Sequence, residues 1–181
     1  MVQYTTILLS LTAIATAMPA GTSDPSIVVS DFSIANWVDS ITTDPSTALT
    51  PEEVLEKFNG GIGNPLSKRQ EFANCVNKSD DGEAANANDA IACINELAAR
   101  GQAGQMCDVN STQKSQCKKG RAQIVSVKGD PNKGPTSVNC NELARTAGVI
   151  MDHCFRADQT VTGQAIIPGG GIAVHIQVPL I

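Results

Sequence analysis

Six cysteines constrain the fold of this chain more than any other feature, and all of them lie beyond residue 70. An even number of cysteines confined to one part of a chain predicts a disulfide framework, here three bonds with fifteen possible pairings. The cysteines are Cys75, Cys93, Cys107, Cys117, Cys140 and Cys154. The alternative is a metal site that also uses His153 or His175, but the chain has no CxxC and no HxxxH spacing. We therefore expect no metal and no cofactor.

The N-terminus has the pattern of a secretory signal peptide. Ile7 to Ala17 is apolar or small and too short to span a bilayer, and it ends in the small-x-small pattern that signal peptidase accepts. The alternative is a buried N-terminal helix. No later stretch is long and apolar enough to form a membrane anchor. The sequence thus predicts cleavage after Ala17 and a secreted, extracellular protein.

The segment that follows, residues 18–69, differs in composition from the rest of the chain. It has a formal net charge of −4, whereas residues 70–181 have −1, and it is rich in Ser, Thr, Asp and Pro. One helix is recognisable in it, "TPEEVLEKFNGG", in which Thr50 is a suitable cap and Pro51 suits the first turn. The composition otherwise predicts no core, so we expect this acidic segment to be largely disordered.

A Lys68-Arg69 pair stands at the boundary between the two compositions. With Pro65 favouring extended chain before it, the pair resembles the cleavage site of kexin-type processing proteases, which would leave Gln70 as the new N-terminus. The alternative is a solvated surface pair. A second pair, Lys118-Lys119, follows Cys117 directly, and we expect the disulfide and the adjoining strand to protect it from a protease.

The predicted organisation is therefore a signal peptide over 1–17, an acidic propeptide over 18–69 and a mature domain over 70–181. Apolar periodicity in the mature domain predicts two helices, and alternation predicts strands and a hairpin. The helices are 86–100, capped by Asn88 or Asp89, and 137–154, capped by Ser137; the strands are 72–76, 121–127 and the two arms of a hairpin over 161–178. This order predicts an α+β fold, with two helices packed on one face of a small, mainly antiparallel four-stranded sheet.

The helices limit the disulfide pairings. Cys140 and Cys154 are fourteen residues apart on one predicted helix, and at 1.5 Å per residue this is about 21 Å, too far for a disulfide. If the two helices are antiparallel, Cys93 near the start of one meets Cys154 at the end of the other.

Two sequons lie in predicted loops of the mature domain. They begin at Asn77 and Asn110, and in a secreted chain both are candidates for N-glycosylation. Unoccupied sequons are the alternative.

Composition excludes several function classes. The mature domain contains neither Trp nor Tyr and has only Phe72 and Phe155 as aromatic residues, which argues against binding of sugars or single-stranded nucleic acid by stacking. It has no GxSxG, HExxH or P-loop motif. One enzymatic alternative is a secreted hydrolase or ribonuclease centred on His175, whereas His153 suits the C-terminal end of a helix. We expect no catalytic residues.

The order "DAIACINELAARG … QIVSV … CNELARTAGVIMDHC … VTGQAII" after a propeptide ending "LSKR" carries a resemblance to a known group. It is similar to small secreted cysteine-rich effectors of fungi, and in particular to the α/β-sandwich killer toxins and effectors of that fold, which are processed by kexin. The resemblance implies a non-catalytic protein that binds an extracellular protein or cell-surface target of a host or competitor. A secreted inhibitor or a cell-wall-associated protein is a further alternative.

Overall fold

The structure is a computed structural model, and it describes residues 32–60, 72–76, 84–109, 113–130, 132, 134–169 and 171–179. Several of the predictions fall outside these ranges. The signal peptide and the positions Ala17, Lys68, Arg69, Gln70, Asn77 and Asn110 lie outside the described residues.

The second part of the chain is built on antiparallel strands. Their bounds are β1 Ala73–Cys75, β2 Ala85–Asn86, β3 Met106–Asp108, β4 Lys114–Lys119, β5 Ala122–Lys128, β6 Ser137–Asn139, β7 Thr160–Val161, β8 Gly163–Ile166 and β9 Ile172–Gln177. Five of them form one sheet in the order β1-β8-β9-β5-β4. The other four form two short ladders, β2 with β7 and β3 with β6.

The sheet confirms the predicted hairpin and corrects the number of strands. In β9, Ile172, Val174 and Ile176 are buried, and the residues between them are half-buried, which is the predicted alternation. The expected four-stranded sheet is wrong, because β4 adds a fifth strand beside β5. Two features hide β4 in the sequence: four of its six residues are Lys or Gln, and its register shifts between Ser115 and Cys117, which breaks the alternation.

Four helices lie in the described part of the chain, so the total exceeds the two helices expected on the sheet and the one expected near Pro51; the unexpected helix is the first. They are α1 Ile34–Thr43, α2 Pro51–Gly60, α3 Ala87–Gln102 and α4 Cys140–Cys154. The two predicted helices of the mature domain are α3 and α4, but their caps are Asn86 and Asn139, whose side chains accept hydrogen bonds from first-turn N–H groups. None of the described helices is long and apolar enough to cross a membrane.

Over its described residues, 32–60, the N-terminal segment is folded, so the expected disorder does not extend to these residues. In α1 the buried residues recur at helical spacing and include Ile34, Trp37, Val38 and Ile41. In α2, Phe58 is fully buried within the same apolar core as the mature domain. The apolar side chains of the segment share one core with α3 and α4, against which its helices pack.

The predicted start of α2 is confirmed. The Thr50 hydroxyl accepts a hydrogen bond from Glu53 N at 3.3 Å, and the Glu53 carboxylate accepts one from Thr50 N at 2.8 Å. This reciprocal pair satisfies two backbone N–H groups at the start of the helix.

Three disulfides join strands to helices, which confirms the predicted number. They link Cys75 to Cys154, Cys93 to Cys117, and Cys107 to Cys140. The suggested pairing of Cys93 with Cys154 is wrong because each of these helix cysteines lies over a different edge strand, β4 and β1 respectively. Gly163 makes room for the β1 bond, since a Cβ there would lie 3.0 Å from the Cys154 sulfur.

Opposite faces of α4 contact the sheet and the N-terminal segment. Ile150 and Cys154 are four residues apart and both approach Gly163 of β8. Gly148 and Asp152, also four residues apart, both approach the first turn of α1. The helix α4 therefore lies between the sheet and α1.

Candidate functional site

His175 lies on the sheet face away from the helices, half-buried in β9. Its direct cross-strand neighbours are Gln164 of β8 and Val125 of β5, neither of which is ionisable. Burial lowers the pKa of the His175 imidazole, because desolvation disfavours its cation. The structure thus brings no acid or base beside His175 across the strands, and the hydrolase alternative gains no support from this register.

The second histidine, His153, is exposed in the last turn of α4, as the sequence predicts. Its neighbour Cys154 is held in the disulfide to β1. Among the described residues, no group of three or more His, Cys, Asp or Glu side chains has the arrangement of a metal site.

The second dibasic pair lies within the sheet. Lys118 and Lys119 belong to β4 and pair with Gln123 and Ala122 of β5, directly after Cys117. The side chain of Lys119 also forms an ion pair with Glu96 of α3 at 2.7 Å. Because proteases require extended, unpaired chain, this supports the expectation that the pair is protected.

A groove of about 720 Å³ runs between α4 and the β1–β8 edge of the sheet. Phe72 and Ile166 form its apolar rim, and their side chains are 86% and 66% exposed, the two highest values among the large apolar residues of the described chain. Adjacent exposed apolar side chains typically mark interaction sites, whereas single ones need no explanation. This edge groove is therefore the candidate binding site.

The shortness of β1 creates the edge groove. It pairs with β8 only from Ala73 opposite Ala165 to Cys75 opposite Gly163, so the following residue, Ile166, lies beyond the last of these pairs. The chain then turns back at Pro168 and Gly169 into β9. Gly169 has a φ of 74°, a conformation that favours glycine.

Polar groups of α4 link the edge groove to the N-terminal segment. Arg145 lines the groove and also donates from Nε to both carboxylate oxygens of Asp39 in α1, at 3.0 and 3.2 Å. A ligand in the groove thus approaches a cation whose charge is already shared with α1.

A second polar contact anchors the start of α1 on α4. The Asp152 carboxylate accepts hydrogen bonds from Ile34 N at 2.6 Å, Ala35 N at 3.2 Å and the Ser33 hydroxyl at 2.7 Å. Burial raises the pKa of Asp152 to about 6, against the opposing effect of these hydrogen bonds. Two of the unpaired N–H groups at the start of α1 are satisfied by a side chain from another helix.

These features define a class: a disulfide-stabilised α+β domain with a packed helical segment at its N-terminal side. Residues 70–178 match the family described as "Domain of unknown function (DUF8794)", and the chain belongs to that family. No curated protein and no solved structure matches the chain.

Neither the edge groove nor the helix α1 that packs behind α4 was predicted from the sequence, although the six cysteines were named. Ile34, Trp37, Val38 and Ile41 follow an i, i+3, i+4, i+7 pattern, so a helix at α1 was detectable from the sequence. The edge groove had no such signal, because it depends on where β1 stops pairing with β8.

Proposed function

We propose that this chain is the precursor of a secreted, non-catalytic binding protein, an effector or toxin-like protein that acts outside the producing cell. In this proposal the signal peptide ends at Ala17, a kexin-type protease cleaves after Arg69, and Gln70 to Ile181 binds an extracellular protein or cell-surface target of a host or competitor. The three disulfides and the family match, which begins at residue 70, support this division of the chain.

The observation that carries the proposal is the position of the edge groove. Phe72, its most exposed apolar residue, comes three residues after the predicted cleavage site. Cleavage would separate this residue from the chain that precedes Gln70 and make it the third residue of the mature chain. We propose that Phe72 and Ile166, which are exposed in the uncleaved chain, contact the target, and that cleavage removes the chain connection on the N-terminal side of Phe72.

The processing step is tested by the mass of the secreted protein, deglycosylated and measured under denaturing conditions with and without reduction. The proposal predicts a chain that fits Gln70 to Ile181 and gains six hydrogens on reduction. A single uncut chain that runs from near Met18 to Ile181 would contradict it.

The binding step is tested by saturable binding of labelled mature protein to a panel of intact host and competitor cells. Phe72→Ser with Ile166→Ser removes the apolar rim and is expected to weaken binding at least tenfold. Met106→Ser is the matched control, because Met106 is also exposed, at 55%, but does not line the groove. Equal binding by the rim variant and the wild type would overturn the proposed surface.

The same preparations separate binding from catalysis. The proposal predicts that His175→Ala keeps the full biological effect on the cells that the wild type affects. Loss of this effect with unchanged cell binding would instead favour the hydrolase or ribonuclease alternative.

A further inference from the structure

We infer that the N-terminal segment 32–60 stays bound to the mature domain after cleavage, so that the processed protein is a complex of two chains held by non-covalent contacts. The inference rests on the proposed cleavage after Arg69. It concerns the interaction surface formed by α3, α4 and Phe155, and it names the partner: the protein's own N-terminal segment.

The predicted cut lies outside the stretch of the segment that makes the described contacts. Among the described residues, the hydrogen bonds, ion pair and buried side chains that join the segment to the mature domain come from the stretch between Ser33 and Phe58. Residue 69 lies nine residues beyond the end of α2. Cleavage there removes a covalent connection and leaves each of the described contacts in place.

The contact between the segment and the mature domain has an apolar, buried centre. Ile34, Val38 and Phe58 are 0% exposed, and they belong to one core cluster with buried residues of α3 and α4. The Phe58 ring meets the Phe155 ring edge-to-face, with centroids 4.9 Å apart. Departure of the segment would expose these side chains, and their partners on the mature domain, to water.

The surface of α4 fits closely against α1. Gly148 lets the backbone of α1 approach so closely that a Cβ on residue 148 would lie 2.8 Å from Ala35 Cα. On either side of this contact, Asp152 holds the start of α1 and Arg145 holds Asp39. The close contact at Gly148 and the two polar contacts beside it therefore favour one position and one direction of α1 on α4.

A disulfide cannot hold the segment on the mature domain. The sequence contains no cysteine before residue 75, so no disulfide can retain the segment. Retention after cleavage thus measures the non-covalent interface alone.

The experiment is complete digestion of the disulfide-bonded precursor with a kexin-type protease, followed by gel filtration without denaturant. Mass spectrometry under denaturing conditions reports the cut, and the chains in the eluted peak report retention. We expect both chains in one peak. A completed cut with the mature domain alone in its peak would overturn the inference and leave the proposed processing intact, whereas an uncut chain would overturn both.

Two variants test whether the described contact is responsible. Asp152→Ala removes the acceptor at the start of α1, and it is expected to raise the dissociation constant of the segment about tenfold or more. Glu142→Ala is the matched control, since it removes an exposed carboxylate from the same helix. Equal retention of the segment by these two variants would contradict the proposed role of Asp152. The wild-type experiment tests the inference independently of both variants.

Discussion

Replacement of Phe58 by Ala should destabilise the precursor strongly, although Phe58 lies in a segment whose composition suggests disorder. Its side chain is 0% exposed, and its ring packs edge-to-face on Phe155 at 4.9 Å and 66°. Truncation of a fully buried Phe costs about 3–5 kcal/mol, which includes the cavity left behind. We expect a loss near the lower end of this range, about 3 kcal/mol.

The assay is urea denaturation of the uncleaved precursor, followed by the fluorescence of Trp37. With an m-value of about 2 kcal/mol/M, a loss of about 3 kcal/mol lowers the midpoint by about 1.5 M. Leu55→Ala is the matched control, because Leu55 lies on the same helix but is only partly buried; about 1 kcal/mol is expected. If Phe58→Ala costs no more than Leu55→Ala, then α2 is not packed as described and the reasoning fails.

Two further predictions concern pH and the disulfides. The pKa of Asp152 is raised from 3.8 to about 6 in the folded protein. Its contribution to the free energy of unfolding is therefore fully present below pH 4, and about 3 kcal/mol is lost as the pH rises through 6. Denaturation of the wild type and of Asp152→Asn between pH 4 and 7 should therefore differ in slope, and parallel curves would contradict this. Loss of the Cys75–Cys154 bond, which spans 79 residues, should cost about 4.5 kcal/mol by loop-closure entropy, against about 3.4 kcal/mol for Cys93–Cys117 with 24 residues. Thermal unfolding of the two double-alanine variants measures both losses of stability. A larger loss for the variant without Cys93–Cys117 would contradict the predicted order.

Local patterns in the sequence predicted the elements that depend on local chemistry. The alternation from Ile172 to Ile176 identified β9, and apolar spacing around Leu97 and Leu143 identified α3 and α4. Each helix nevertheless starts at a cap other than the predicted one. The side chains of Asn86 and Asn139 accept hydrogen bonds from first-turn N–H groups, and the neighbouring polar residues named from the sequence do not serve as caps.

Features that join distant parts of the chain were not predictable in this way. The disulfide partners of Cys93 and Cys154 depend on which edge strand each helix covers, and one sequence does not determine this. The contact between Asp152 and Ile34 joins residues 118 positions apart.

The composition of the N-terminal segment does not reveal that residues 32–60 are folded, and the reason is physical. Acidic and small polar residues dominate it, so averaged over residues 18–69 it resembles a disordered chain. The average hides the few apolar side chains of α1 and α2 that are buried on a surface supplied by the mature domain. Composition predicts whether a segment folds alone, but it does not predict whether it folds on a partner.

The accessibility of Trp37 tests the central claim, that the N-terminal segment is a packed part of this protein, most directly. Trp37 is the only tryptophan of the chain, its side chain is 3% exposed, and its Nε1 donates a hydrogen bond to the Leu49 carbonyl at 2.9 Å. We predict that the folded precursor shows short-wavelength Trp emission with little quenching by iodide, and that cleavage after Arg69 leaves both unchanged. Long-wavelength emission with strong quenching in the folded precursor would contradict the account.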